Sequence, residues 1–245
     1  MTDHAIATKG LTKSYHDNVA VKSLTLEVER GEIFGLLGHN GAGKTTTVNM
    51  LTTLLEPSGG HIHIDGVDAR ENPREVQRRI GYLPESVQLY NNMTTVENLR
   101  FFAKLSGLRR PDPAIADALD YLDFASHSAE KVGTFSKGMR QRVGIAQAIV
   151  HRPAVLFLDE PTSGLDPEGI LQLREIIIGL NRELGMTIFM NTHLLSEVTK
   201  TCSSIGILRN GKLAYQSTLE DALSSRRGLA SLEDIYMDIE AASSR

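Results

Sequence analysis

Polar and apolar positions alternate early in the chain and later give way to solid apolar runs. AIATKG and the alternating SLTLEVERG read as strands, and HIHIDG alternates again before a turn. IFGLL at 33–37 is apolar throughout, which suits a strand covered on both faces. It runs into a glycine-rich loop and then a helix expected from Lys44 to about Leu54. Between about 94 and 150 the period becomes helical. TTVENLRFFAKLSGL opens on a capping-box pattern, Thr94 with Glu97, and PAIADALDYLDF and RQRVGIAQAIV follow as further helices. Strands return at 154–160 (AVLFLDE), 186–193 (MTIFMNTH) and 204–217 (SIGILRNGKLAYQS). A helix over 167–183 separates the first two, with Asp166 as its cap and Pro167 at its first position. Apolar strands alternating with helices predict a buried, mostly parallel sheet with a helical lobe inserted into it.

A chain of 245 residues suits one large domain, or one domain carrying an inserted lobe. No apolar run approaches the roughly 18–20 residues that cross a bilayer, so the chain is not expected to span a membrane by itself. The net charge of −4 and the lack of a polybasic tract argue against a nucleic-acid partner. Cys202 is the only cysteine, which rules out an intrachain disulfide and fits a reducing compartment. The opening MTDHAIATKG has no basic stretch followed by an apolar one, so no secretory leader is expected.

GHNGAGKT at 38–45 matches G-x-x-x-x-G-K-[ST] and lies between a predicted strand and a predicted helix. Gly38, Gly41 and Gly43 allow backbone N–H groups to converge on phosphate oxygens. Lys44 supplies positive charge to the β- and γ-phosphates, and the Thr45 hydroxyl suits Mg²⁺. The helix that follows presents its positive end to the anion. Kinases, GTPases and motor ATPases share such a loop, and VLFLDE narrows the choice. Its apolar residues deliver Asp159 to the end of a buried strand, where it can hold Mg²⁺. Glu160, on the opposite side of that strand or in the turn beyond it, is placed to accept a proton from an attacking water. No [NT]-K-x-D guanine selector is present.

These motifs, taken in order, resemble the ATPase subunit of an ABC transporter over nearly the whole chain. GHNGAGKTT resembles Walker A, FSKGMRQR the signature usually written LSGGQ, VLFLDEP Walker B, SGLD (163–166) the D-loop, and NTH the switch ending in His193. The resemblance implies an α/β fold: a P-loop NTPase (RecA-like) core with an antiparallel β subdomain and an inserted α-helical subdomain. It implies a core over 1–85 and 153–225, a helical signature subdomain over 86–152 and a C-terminal extension over 226–245. Two cassettes, identical or different, would bind head to tail, so that Ser136 and the Gly138 N–H reach ATP held by the other copy. That ATP would lie on Gly38, His39, Asn40, Gly41, Ala42, Gly43, Lys44, Thr45 and Thr46, with Tyr15 stacked on adenine. Catalysis would fall to Glu160, His193, Lys44 and Glu85, and Mg²⁺ to Thr45, Asp159 and Glu85. Asp166 would contact the other copy as well as cap its helix. The implied partners are separately encoded membrane permease subunits, with the chain peripheral on the cytoplasmic face of the membrane.

Three positions depart from the family's pattern. Lys137 stands for a glycine and Met139 for a glutamine in the signature; Glu85 stands for the Q-loop glutamine, 41 positions after Lys44 (85 − 44). Lys137 is either a solvated lysine or an added charge near the nucleotide. GYLPES together with SKGMRQR resembles ATPases paired with ABC-2-type exporters, including drug-exporter ATPases and those that mature nitrous-oxide reductase. A role outside transport, such as metalloenzyme or cofactor maturation, is the alternative reading. His61 and His63 read as two solvent-facing strand residues. Arg140 and Arg142 read as decoration of a helix near the membrane partner. LASLEDIYMDI reads as a packing helix with Leu229, Leu232, Ile235, Tyr236 and Ile239 on one face.

Overall fold

Strands β1 (His4–Tyr15) and β2 (Asn18–Glu29) pair antiparallel at the start of the structure, a computed structural model that describes residues 4–224 and 232–241. They are followed by β3 (Ile33–Leu37), α1 (Lys44–Leu51), β4 (Gly59–Ile64), β5 (Val67–Asp68), α2 (Pro73–Arg79) and β6 (Ile80–Leu83). Helices α3 (Thr95–Leu105), α4 (Asp112–Tyr121) and α5 (Lys137–Ile149) stand between β6 and β7 (Val155–Asp159). The chain continues through α6 (Pro167–Leu184), β8 (Thr187–Asn191), α7 (Leu195–Thr201), β9 (Ser204–Arg209), β10 (Lys212–Thr218), α8 (Leu219–Ser224) and α9 (Leu232–Ala241).

Two sheets result. One is four-stranded and antiparallel, in the order β2-β1-β4-β5; the other is six-stranded, in the order β10-β9-β3-β8-β7-β6. All pairings in the larger sheet are parallel except that of β10 with β9. Its central strands are buried along their whole length, in keeping with their largely apolar sequence.

Alternation along these strands sorts their side chains into two cores. Phe34, Phe157 and Phe189 point to the side of α1 and the small sheet, packing with Val48, Leu51 and Ile62. Ring centroids of Phe34 and Phe189 are 5.3 Å apart, and those of Phe157 and Phe189 5.5 Å. Each such ring, fully buried, contributes about 2–3 kcal/mol. Leu156, Leu158, Ile188 and Met190 face the other way, against Leu99, Leu119, Val143 and Ile149 of the helical insert. By the same parity Asp159 and Asn191, at the ends of neighbouring strands, fall on the α1 side.

The expected elements form, with two corrections. Helix α1 stops at Leu51 rather than Leu54. The Thr52 hydroxyl donates to the Val48 carbonyl at 2.8 Å and Thr53 turns left-handed at φ 62°, so local hydrogen bonding ends the helix. The stretch at 204–217 is a hairpin of two strands, because Asn210 and Gly211 both take positive φ, 47° and 80°, and reverse the chain. The capping box is present: Thr94 Oγ1 accepts from the Glu97 N–H at 3.2 Å and Glu97 Oε2 from the Thr94 N–H at 2.7 Å. Asp166 caps α6 by accepting from the Gly169 N–H at 3.0 Å. His61 and His63 are exposed while Ile62 and Ile64 are buried. Leu232 and Ile235 are buried, with Tyr236 and Ile239 packed against the same core; Leu229 lies outside the described residues.

Candidate functional site

The glycine-rich loop joins the end of β3 to α1 and folds over Lys44. Gly43, the residue before the helix, has φ 104°, and a Cβ there would come within 2.6 Å of the Ala20 carbonyl oxygen. Only glycine fits this turn beside the β1–β2 hairpin. Within the loop the Ala42 N–H donates to the His39 carbonyl at 3.1 Å. Lys44 is 6% exposed, and its ammonium donates to the carbonyls of Gly38 at 2.7 Å and His39 at 3.3 Å. Burial pulls its pKa below the usual lysine value, while the charges of Glu160 and Asp159 oppose that shift.

A cavity of about 400 Å³ opens above this lysine. Its walls include Asn40, Gly41, Gly43, Lys44, Thr45 and Thr46 from the loop and first helical turn, Ala20 from β2, and Glu85, Asp159, Glu160 and His193. Five separate segments therefore converge on one volume. The adjacent acids share it because Glu160 takes φ 46°, a left-handed turn just past the strand. Sequence left Glu160 either across the strand or in the turn, and the turn is where it sits. Its N–H donates to the Asn191 carbonyl at 2.8 Å, and its Oε2 lies 2.8 Å from His193 Nδ1.

Asp159 is 7% exposed. Asn191 Nδ2 donates to its Oδ1, and the Tyr82 hydroxyl reaches its Oδ2 at 3.5 Å. Burial pushes the Asp159 carboxyl above the usual range; the Asn191 hydrogen bond opposes this, and the nearby Glu160 and Glu85 charges add to it. Burial first, then the Asp159 charge and hydrogen bond, push the Tyr82 phenol up to about 12.

Three carboxylates thus face a single ammonium in this cavity. That excess of hard oxygen donors and negative charge fits Mg²⁺. Among the described residues no cluster of three or more His, Cys, Asp or Glu side chains is arranged to hold a metal.

Ser136, Gly138 and Asp166 do not reach this cavity. They line a separate one of about 530 Å³ between α5 and the start of α6. Ser136 caps α5, its Oγ accepting from the Met139 N–H at 3.3 Å. Glu85 is exposed and accepts from the Ser163 hydroxyl at 3.2 Å. Tyr15 is 44% exposed, with the Lys13 ammonium 5.3 Å from its ring centroid, and lies outside both cavity walls. Lys137 is exposed, its ammonium next to Gly164 rather than in the P-loop cavity.

Asn191, Tyr82 and Ser163 lie within NTH, GYLPES and SGLD, but sequence reasoning gave none of them a role of its own; in the fold Asn191 and Tyr82 brace Asp159 and Ser163 holds Glu85. A further signal for Asn191 is its place as the polar residue closing the largely apolar strand TIFMN.

The family described as "ABC transporter" matches residues 21–163. A bacitracin transport ATP-binding protein, BcrA, from Bacillus licheniformis is 44% identical over 208 residues, 85% of this chain and 68% of that protein. The solved structure of an ATP-binding subunit of an ABC transporter superposes with a TM-score of 0.85 at 33% identity, covering 96% of this chain and 99% of that one. A bacterial ABC transporter cassette solved as a dimer, MJ0796, gives 0.77 at 25% identity, over 87% and 98%.

Proposed function

The chain belongs to the ABC transporter family as one of its ATP-binding, ATP-hydrolysing subunits, and from that premise we propose that it powers a membrane exporter as a head-to-tail pair closing on two ATP. The observation that carries this reading is the split site. The P-loop cavity holds Lys44, Asp159, Glu160 and His193, yet Ser136 and Gly138 open onto a different cavity of the same chain. A second copy, inverted against the first, brings its α5 N-terminus to the phosphates and completes the site. MJ0796, solved as a dimer, is consistent with that pairing.

Within each site the Lys44 ammonium exchanges the Gly38 and His39 carbonyls for phosphate oxygens. Glu160 accepts the proton of the attacking water, and His193 fixes the carboxylate that does so. Thr45 and Asp159, with Glu85 beside them, would hold Mg²⁺, which supplies charge neutralisation at the β- and γ-phosphates. Tyr15 supports adenine by stacking.

In this reading 1–85 and 153–225 form the core, 86–152 the helical subdomain and 226–245 an extension. Among the described residues no helix is long and apolar enough to cross a membrane. In this reading the transport path belongs to separately encoded permease subunits. We assign their contact to the helical insert, where Tyr90, Phe101 and Leu105 are exposed beside a cavity of about 450 Å³ lined by Pro84, Val87 and Leu89. The chain then sits on the cytoplasmic face of the membrane. The GYLPES and SKGMRQR pair and the bacitracin-transport relative favour export.

Light scattering on the Glu160→Gln variant tests the pairing. With saturating Mg-ATP the mass doubles; a strictly monomeric protein, even beside its membrane subunits, overturns the reading. Driving the pair from mostly open to mostly closed requires ATP to favour the closed form by about 5.5 kcal/mol.

A further inference from the structure

The turn after Glu160 is gripped by side chains from outside it. Gln141 Nε2 on α5 donates to the Pro161 carbonyl at 2.9 Å, in a buried contact. The Ser163 hydroxyl donates to Glu85 Oε1 at 3.2 Å, while the Ser163 N–H donates to the Glu160 carbonyl at 3.0 Å. Lys137, at the start of α5, lays its ammonium across Gly164, so that a Cβ there would meet Nζ at 2.7 Å. Gly164 is left-handed at φ 67°, which leaves the turn bare for the lysine. Opposite charges from Glu85 and Lys137 therefore flank one two-residue turn, and Ser163 ties the Glu85 carboxylate to the backbone of Glu160.

Glu85 is exposed in the loop after β6, where a free glutamate samples many rotamers. A hydroxyl donating to a charged oxygen selects among them. We propose that Ser163 is a positioning residue for Glu85, setting that carboxylate at the metal side of the nucleotide cavity, and that Lys137 keeps the Ser163–Gly164 turn within reach. The movement of the helical insert, which carries Lys137 and Gln141, then acts on the cavity carboxylates through this turn. The inference rests on the assignment of Glu85 to the metal side of the site.

Mn²⁺ titration followed by electron paramagnetic resonance tests it. The Glu160→Gln protein is kept in excess over ATP, so that the nucleotide is bound and not consumed. Adding Ser163→Ala weakens Mn²⁺ binding about five- to tenfold, the effect of one ordinary hydrogen bond, since this contact is exposed to solvent. Ser163→Thr, which keeps the hydroxyl, stays within about twofold of the parent and excludes simple misfolding. In a Glu85→Ala background Ser163→Ala adds nothing. Equal Mn²⁺ affinity with and without the Ser163 hydroxyl, or an undiminished loss in the Glu85→Ala background, overturns the positioning role. If Glu85→Ala itself leaves Mn²⁺ affinity unchanged, the metal-side assignment of Glu85 fails, and the inference with it.

Discussion

His193 Nδ1 stands 2.8 Å from Glu160 Oε2, and the two residues arrive there from the ends of neighbouring parallel strands, β8 and β7. The histidine is half exposed and the carboxylate mostly buried, with side-chain exposures of 50% and 14%. Their contact orients the carboxylate proposed as general base. Glu160→Gln is expected to slow steady-state phosphate release by about 10²–10⁴-fold, the range for losing a general base. His193→Ala should lower it in the same direction by loosening the same group. Turnover at the parent rate in the Glu160 variant would remove that residue from the chemistry.

Lys44 fits a space shaped for an ammonium. It is almost fully buried, with Nζ between two carbonyls of its own loop. Lys44→Arg puts a longer, planar fork where a point charge is needed. Weakening of ATP binding by about 10–100-fold is expected, as for a lost charge-assisted contact. Fluorescent-nucleotide titration measures it, and affinity within twofold of the parent would contradict this account.

The split between the P-loop cavity and the Ser136 cavity predicts complementation. Lys44→Ala and a bulky Ser136→Arg variant should each be nearly inactive alone. Mixed in equal amounts, they form pairs in which one site combines an intact P-loop with an intact signature. ATPase activity in the mixture should therefore rise above the mean of the two separate proteins. No gain at any protein concentration would argue against sites shared between copies.

Asp65 makes part of the stability pH-dependent. Burial pushes its carboxyl up, but hydrogen bonds from Arg30 and Arg79, followed by their charges, outweigh burial and hold it below the usual aspartate range. Arg79 Nη1 lies 2.7 Å from Asp65 Oδ2, and Arg30 pairs with Oδ1. Because the folded pKa is the lower one, the contribution is complete above the unfolded value and is lost as pH falls through the folded value. Asp65→Asn keeps a residue that tolerates the positive φ of 50° at this turn. Urea unfolding should show it destabilised by about 1 kcal/mol at pH 7, a figure reduced for the partly exposed arginines. The difference should begin to shrink once pH falls below about 3.9, the unfolded aspartate value, and vanish only below the lower folded value. A difference independent of pH would mean that packing, not charge, is the cause.

What the sequence determined by itself is local. The P-loop, the capping box at Thr94, the cap at Asp166 and the apolar strand leading to Asp159 each depend on geometry within a few residues, so their spacing reveals them. The period of the apolar positions distinguished helices from strands and located the insert between β6 and β7. Tertiary structure decided what depends on strand order and on turns. Asn191 meets Asp159 only because β8 lies beside β7 in this register. Glu160 shares a cavity with Asp159 because the chain turns left-handed there, and Ser163 and Lys137 reach their partners because that turn folds back toward α5 and the loop after β6. These contacts join residues tens of positions apart, and sequence spacing does not encode which strand becomes whose neighbour. The same holds for the gap between Ser136 and the P-loop: both motifs can be read along the chain, but only the folded arrangement places them on separate cavities.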